Sequence, residues 1–183
     1  CVPAGTPLED DTLGGAVRYA AVDHDVVLVA AAGNVSQACG DQNPGVPDPT
    51  SPGDDGWNDV LTVASPAWYD DHVLTVGGVD ADGAPTDFTL RGPWVDVAAP
   101  AAGLRSVGAD GAGISDFVVE GDGSRTPISG TSFAAPFVAG TAALVRQAHP
   151  GLTARQVIAR IQNTAIPAAG GRDFTVGHGV VDP

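Results

Sequence analysis

The 183-residue sequence contains no lysine, and its eight arginines face 22 acidic residues, giving a formal net charge of −14. A field of that sign repels phosphate backbones, which argues against a nucleic-acid partner. The acidic residues are almost all Asp rather than Glu. Asp favours caps and turns where Glu suits helix interiors, so most of this charge belongs in loops. Long apolar runs are also scarce. The longest uncharged one, residues 131–145, is too short and too rich in Ala and Gly to span a bilayer, which takes about 20 residues. The chain opens at Cys1 without the charged, apolar and small-residue regions of a signal peptide.

What remains is enough for one domain. The composition is 43% apolar, and 25 Gly with 15 Pro imply many tight turns. Cys1 and Cys39 read either as a disulfide in an oxidising compartment or as two inert core thiols. The extended loops around both favour the disulfide, and closing a loop of that length stabilises a fold by ~4 kcal/mol on the chain-entropy model.

Residues 11–25 place Leu13, Ala16, Val17, Ala20 and Ala21 on one helical face, with Thr12 as the expected N-cap. The run from Val26 to Ala32, ending at Gly33-Asn34, reads as a strand buried on both faces of a parallel sheet. Residues 36–58 are polar, acidic and rich in Pro and Gly, a long surface loop. Short strands are expected at 60–63, 73–76 and 95–100, and a hairpin at 117–128 around Gly121-Asp122-Gly123-Ser124. Asp80-Ala81-Asp82-Gly83 reads as a turn, because the later ligands of a calcium loop are missing. Residues 129–145 are apolar all round, which predicts a closely surrounded helix with Pro136 in its first turn. A second helix over 153–164 has Thr153 as N-cap and Val157, Ile158 and Ile161 on its inner face. Helices alternating with buried strands give an α/β fold with a largely parallel sheet.

Ser132 stands where such a helix begins, among unpaired N–H groups at the positive end of the dipole, a place that favours a developing oxyanion. Taken alone, Thr131 or Ser132 would simply cap the helix. The longer string decides otherwise. Gly130-Thr131-Ser132-Phe133-Ala134-Ala135-Pro136-Phe137-Val138-Ala139-Gly140 closely resembles the nucleophile motif of the subtilisin-like (S8) serine peptidases, Gly-Thr-Ser-x-Ala-x-Pro-x-Val-x-Gly. Val29 to Asn34, ending Ala-Ala-Gly-Asn, resembles that family's oxyanion segment, with Asn34 as the side-chain donor. His149-Pro150 and the stretch from Gly177 to Asp182 resemble its closing helix and final strand. The resemblance covers nearly the whole chain. It implies a three-layer subtilisin-like fold, incomplete here, and peptide-bond hydrolysis through an acyl-enzyme with Ser132 as nucleophile. It further implies an oxyanion hole made by Asn34 and the Ser132 N–H, a pocket wall from Ala31, Ala32 and Gly33, a protein or peptide substrate, and no metal or organic cofactor.

Ser65-Pro66-Ala67-Trp68-Tyr69-Asp70-Asp71, followed by Val73-Leu74-Thr75-Val76-Gly77, is similar to the mycosins, subtilisin-like proteases of type VII secretion. That likeness implies a Cys1–Cys39 disulfide, a place outside the cytoplasmic membrane with an anchor beyond Pro183, and association with the secretion membrane complex. The alternative role is structural, with proteolysis secondary, the acidic loop and Trp57, Trp68 and Tyr69 serving as docking surface. One departure from the family is large. The Asp and His of the triad precede the Ser in subtilases, and neither motif occurs before Ser132, so residues 1–183 are expected to be the C-terminal part of a peptidase domain, inactive alone. His24, His72, His149 and His178 read as surface residues rather than substitute bases. The order Ser132, Asp173, His178 is that of α/β-hydrolases, but Ala134 stands where their Gly-x-Ser-x-Gly elbow requires Gly.

Overall fold

The computed structural model describes residues 1–4, 11–36, 39–47, 50, 55–108, 111, 113–168 and 170–183. Strand β1 (Val2–Pro3) is followed by α1 (Asp11–Arg18), β2 (Leu28–Ala31), β3 (Thr62–Val63), β4 (Val73–Val79) and β5 (Val97–Pro100). Two short ribbons follow, β6 (Ser106–Val107) with β7 (Ile114–Ser115) and β8 (Phe117–Val119) with β9 (Arg125–Pro127), and then α2 (Thr131–Ala148) and α3 (Ala154–Thr164).

The frame is a parallel three-stranded sheet in the order β2-β4-β5, with Leu28 opposite Val73 and Val76 opposite Val97. All seven residues of β4 are buried because it is central and covered on both faces. Leu74 and Val76 join Val97 and Ala99 against α2 and α3, while Val73 faces Val17 of α1 on the other side. This is the expected three-layer α/β arrangement. Gly77 makes one close approach possible, since a Cβ there would fall 2.1 Å from the Thr175 carbonyl oxygen.

α2 presents Ala134, Val138 and Ala142 to the sheet, four residues apart on one stripe, and their small size lets the helix lie close. Its opposite face corrects the expectation of all-round burial. Phe137 is 49% and Leu144 is 55% exposed, so nothing in the described chain covers that side. Pro136 is also displaced from expectation: the helix starts at Thr131, which puts Pro136 in the second turn, where it withholds a helical hydrogen bond from the Ser132 carbonyl. Thr12 lies inside α1 rather than capping it, and the expected helix to residue 25 widens into a π-turn over Tyr19–Asp23. β2 is half-buried rather than fully buried, because it is the sheet's edge among the described residues.

Thr153 caps α3 as read, accepting from the Gln156 N–H, and the Gln156 side chain accepts in return, completing a capping box. Trp57 and Trp68 are half-buried and stack edge-on at 5.1 Å, both against the fully buried Trp94. They are core-lining aromatics rather than a free docking face, and much of the acidic loop (48–49 and 51–54) lies outside the described residues.

Cys1 and Cys39 are joined, their Cα atoms 4.9 Å apart, closing a 38-residue separation. Cys39→Ser is expected to lower the unfolding free energy by ~4 kcal/mol, read as a smaller urea midpoint. An unchanged midpoint would mean that the loop is held without the bond.

Candidate active site

The carboxyl ends of the parallel strands meet beneath the head of α2. After β2 the chain turns at Gly33, φ +102°, and delivers Asn34. Asn34 forms an antiparallel bridge with Thr89, flanked by the Leu90 N–H donating to the Gly33 carbonyl (2.9 Å) and the Val35 N–H to the Phe88 carbonyl (2.7 Å). Just beyond β5, the Ala101 carbonyl accepts the Gly130 N–H at 2.7 Å. Both outer strands therefore hold the residues that open α2.

The helix has no cap from its own flanking residue, Gly130. Its cap comes from 97 residues away: Asn34 Oδ1 accepts the Thr131 N–H and the Thr131 hydroxyl, both at 3.0 Å. The same hydroxyl lies 3.2 Å from the Gly33 carbonyl. With Oδ1 committed, the amide orientation is fixed and Nδ2 is turned toward Gly130. A Cβ on Gly130 would sit 3.3 Å from that nitrogen, and the residue's φ of +142° is one that side chains rarely adopt. Glycine here gives the Asn34 amide its room. Next along the chain, Ser132 is exposed at the second helical position. A hydroxyl at a helix head, one residue along from the Thr131 that Asn34 caps, stands at a place that favours negative charge.

The other predicted positions divide. Ala31 and Gly33 are half-buried, but Ala32 is fully buried among Val63, Leu90 and Trp94, so its methyl packs in the core and offers only backbone to a pocket. The local histidines stay away from Ser132. His178 donates its N–H to the carbonyl of Asp96 at 2.7 Å, at the amino end of β5 and across the sheet from α2's head; burial holds its imidazole below the ordinary pKa. The Asp173 carboxylate is committed to the Thr175 and Val176 N–H groups. Clefts of about 540 and 510 Å³, both reaching Asp71 and His72 just before β4, likewise open at the amino ends. Sequence reasoning missed the hold of Thr131 and Gly130 on Asn34, although both stand in the motif that identified Ser132. Among the described residues, no group of three or more His, Cys, Asp or Glu could hold a metal, and no helix is long and apolar enough to cross a membrane.

Comparison with known proteins agrees with this geometry. Residues 3–179 match the subtilase (peptidase S8) family, and the chain belongs to that family. Within it, the chain is similar to mycosin-1 of Mycobacterium tuberculosis, 47% identical over all of this chain and 40% of that protein. The crystal structure of MycP1 from Mycobacterium smegmatis superposes with a TM-score of 0.92 at 46% identity, over all of this chain and 47% of the other. A chain of an intact ESX-5 inner membrane complex superposes with a TM-score of 0.93 at 45% identity, over 100% of this chain and 41% of that one. The chain thus spans about 40% of the length of the curated relative it matches.

Proposed function

We propose that this chain carries the nucleophile and oxyanion hole of a mycosin-type serine endopeptidase acting in type VII protein secretion. The observation that carries the reading is the capping of α2 by Asn34, whose Oδ1 holds Thr131, the residue before Ser132. In the proposed reaction Ser132 Oγ attacks the scissile carbonyl, passing its proton to a His oriented by an Asp. Asn34 Nδ2 and the Ser132 N–H hold the oxygen of the tetrahedral intermediate. The backbone of residues 31–33, with the Ala31 methyl, forms one wall of the pocket for the substrate side chain.

The His and Asp belong to an upstream part of the same catalytic domain. Two features of the described chain suit such a neighbour: β2 has an open edge, and α2 carries the uncovered Phe137 and Leu144. The likeness to a chain of the ESX-5 inner membrane complex supports association with the secretion complex; an extracytoplasmic location and an anchor beyond Pro183 belong to the same proposal. The same likeness favours a second reading, a structural component of that assembly in which proteolysis is secondary.

Ser132→Ala separates the two. In the complete catalytic domain it is expected to abolish labelling by a fluorophosphonate probe and peptide cleavage, while the membrane complex still assembles. Persistent labelling would contradict the nucleophile assignment; loss of assembly would favour the structural reading.

A further inference from the structure

The segment 88–91 supports Asn34, and it has two edges. One pairs with Gly33–Val35, as described. Among the described residues the other meets no strand; it meets two side-chain amides. Gln42 donates from Nε2 to the Thr89 carbonyl (2.8 Å) and accepts the Arg91 N–H on Oε1 (3.0 Å). That is the pattern a residue of a parallel strand makes with the residues before and after its partner, so the Gln42 amide replaces a strand opposite Leu90. Oε1 also accepts the Asn43 N–H at 3.0 Å.

Asn43 anchors this false strand. It is 3% exposed, and all its amide sites are used. Oδ1 accepts the Leu61 and Thr62 N–H groups, each at 2.8 Å, and Nδ2 donates to the Thr62 carbonyl (2.8 Å) and the Arg91 carbonyl (2.6 Å). Four residues earlier, Cys39 ties the same loop to Cys1. A path of short hydrogen bonds therefore runs from the disulfide loop, through Gln42 and Thr89–Arg91, to Gly33 and Asn34.

We infer that Gln42, held in place by Asn43, is a positioning residue that sets the Asn34 amide against Ser132. The inference rests on the oxyanion role proposed above for Asn34. Its cause is geometric. An oxyanion donor works only within hydrogen-bonding distance of the developing charge. Asn34 sits on a single bridge to Thr89; the Thr89 hydroxyl is held by the Gly78 N–H and by Thr86, while the outer backbone edge of Thr89–Arg91 is held by these two amides. Asn43 also holds β3 and its removal endangers the fold, whereas Gln42 is half-buried and, among the described residues, its amide bonds Thr89, Arg91 and Asn43.

The test is the labelling of Ser132 by a fluorophosphonate, in the complete catalytic domain, with kinact and KI measured separately. Gln42→Leu is expected to lower kinact about tenfold with KI little changed, and Gln42→Ala serves if the leucine variant fails to fold. In an Asn34→Asp background, which lacks the amide donor, the Gln42 substitution is expected to cost nothing further. An unchanged kinact, or an equal loss in both backgrounds, would overturn the inference while leaving Asn34 in its role. If Asn34→Asp alone labels as fast as the parent, the oxyanion reading itself fails, and that result is read independently of Gln42.

Discussion

Asn34→Asp is expected to reduce kcat of the complete catalytic domain by about 100- to 1,000-fold, the loss typical of one oxyanion donor, with thermal stability kept. The substitution separates the two jobs of one side chain. Oδ1 caps α2 through the Thr131 N–H and hydroxyl, and a carboxylate accepts both bonds equally well. A negative group also suits a helix amino terminus. Nδ2 is what changes, from a donor turned toward Gly130 to an acceptor that would repel an oxyanion held there. Most mutations at a buried cap weaken fold and activity together; this one parts them. Steady-state kinetics on a peptide substrate, with a melting curve of the same preparation, provides the check. A variant that kept its kcat would remove Asn34 from the reaction.

The second large effect lies at the other end of the sheet. Asp96 is 6% exposed at the entry to β5. Burial pushes its carboxyl up to about 7, partly offset by the Thr75 N–H on Oδ2 at 2.7 Å and helped by the charge of Asp70. Gln162 of α3 donates to Oδ1 at 2.8 Å, and Arg172 opposes the rise. The folded protein therefore holds this proton more tightly than the unfolded chain, whose carboxyl ionises near 3.8. The stabilisation is fully present below the unfolded value and is lost as pH rises through about 7, at ~1.4 kcal/mol per pH unit. Asp96→Asn cancels that dependence. Its oxygen accepts from Thr75, its NH2 donates to Gln162 once that amide turns over, and it carries no charge at any pH. Relative to Asp96→Asn, the parent is expected to be less stable at pH 8 than at pH 5 by about 3 kcal/mol, measured by urea unfolding at both. Parallel pH profiles for the two proteins would contradict a raised carboxyl.

What could be read in the sequence was what the chain encodes locally. The β4 run and the Thr153 N-cap of α3 each announce themselves within a few residues and stand where expected. The Cys1–Cys39 bond was favoured by the loops around both cysteines and implied by likeness to a family; Asn34 was singled out through that likeness alone. The parts that were not legible depend on long-range partners. β1 is two residues long and exists only because it pairs with β3, the strand expected at 60–63. Gln42 and Asn43 lie in a stretch that reads as loop, and a side chain acting as a strand leaves no periodicity. α2 looked buried on every side because its sequence is apolar on every side; the uncovered face of Phe137 and Leu144 is the difference between what that helix is written for and what the described chain provides.

The most direct measurement of the central claim is a crystal structure of the complete catalytic domain after reaction with a fluorophosphonate. The account predicts phosphorus bonded to Ser132 Oγ, with one phosphonyl oxygen about 2.7–3.1 Å from both Asn34 Nδ2 and the Ser132 nitrogen. An adduct on another residue, or an oxygen turned away from Asn34, would contradict it.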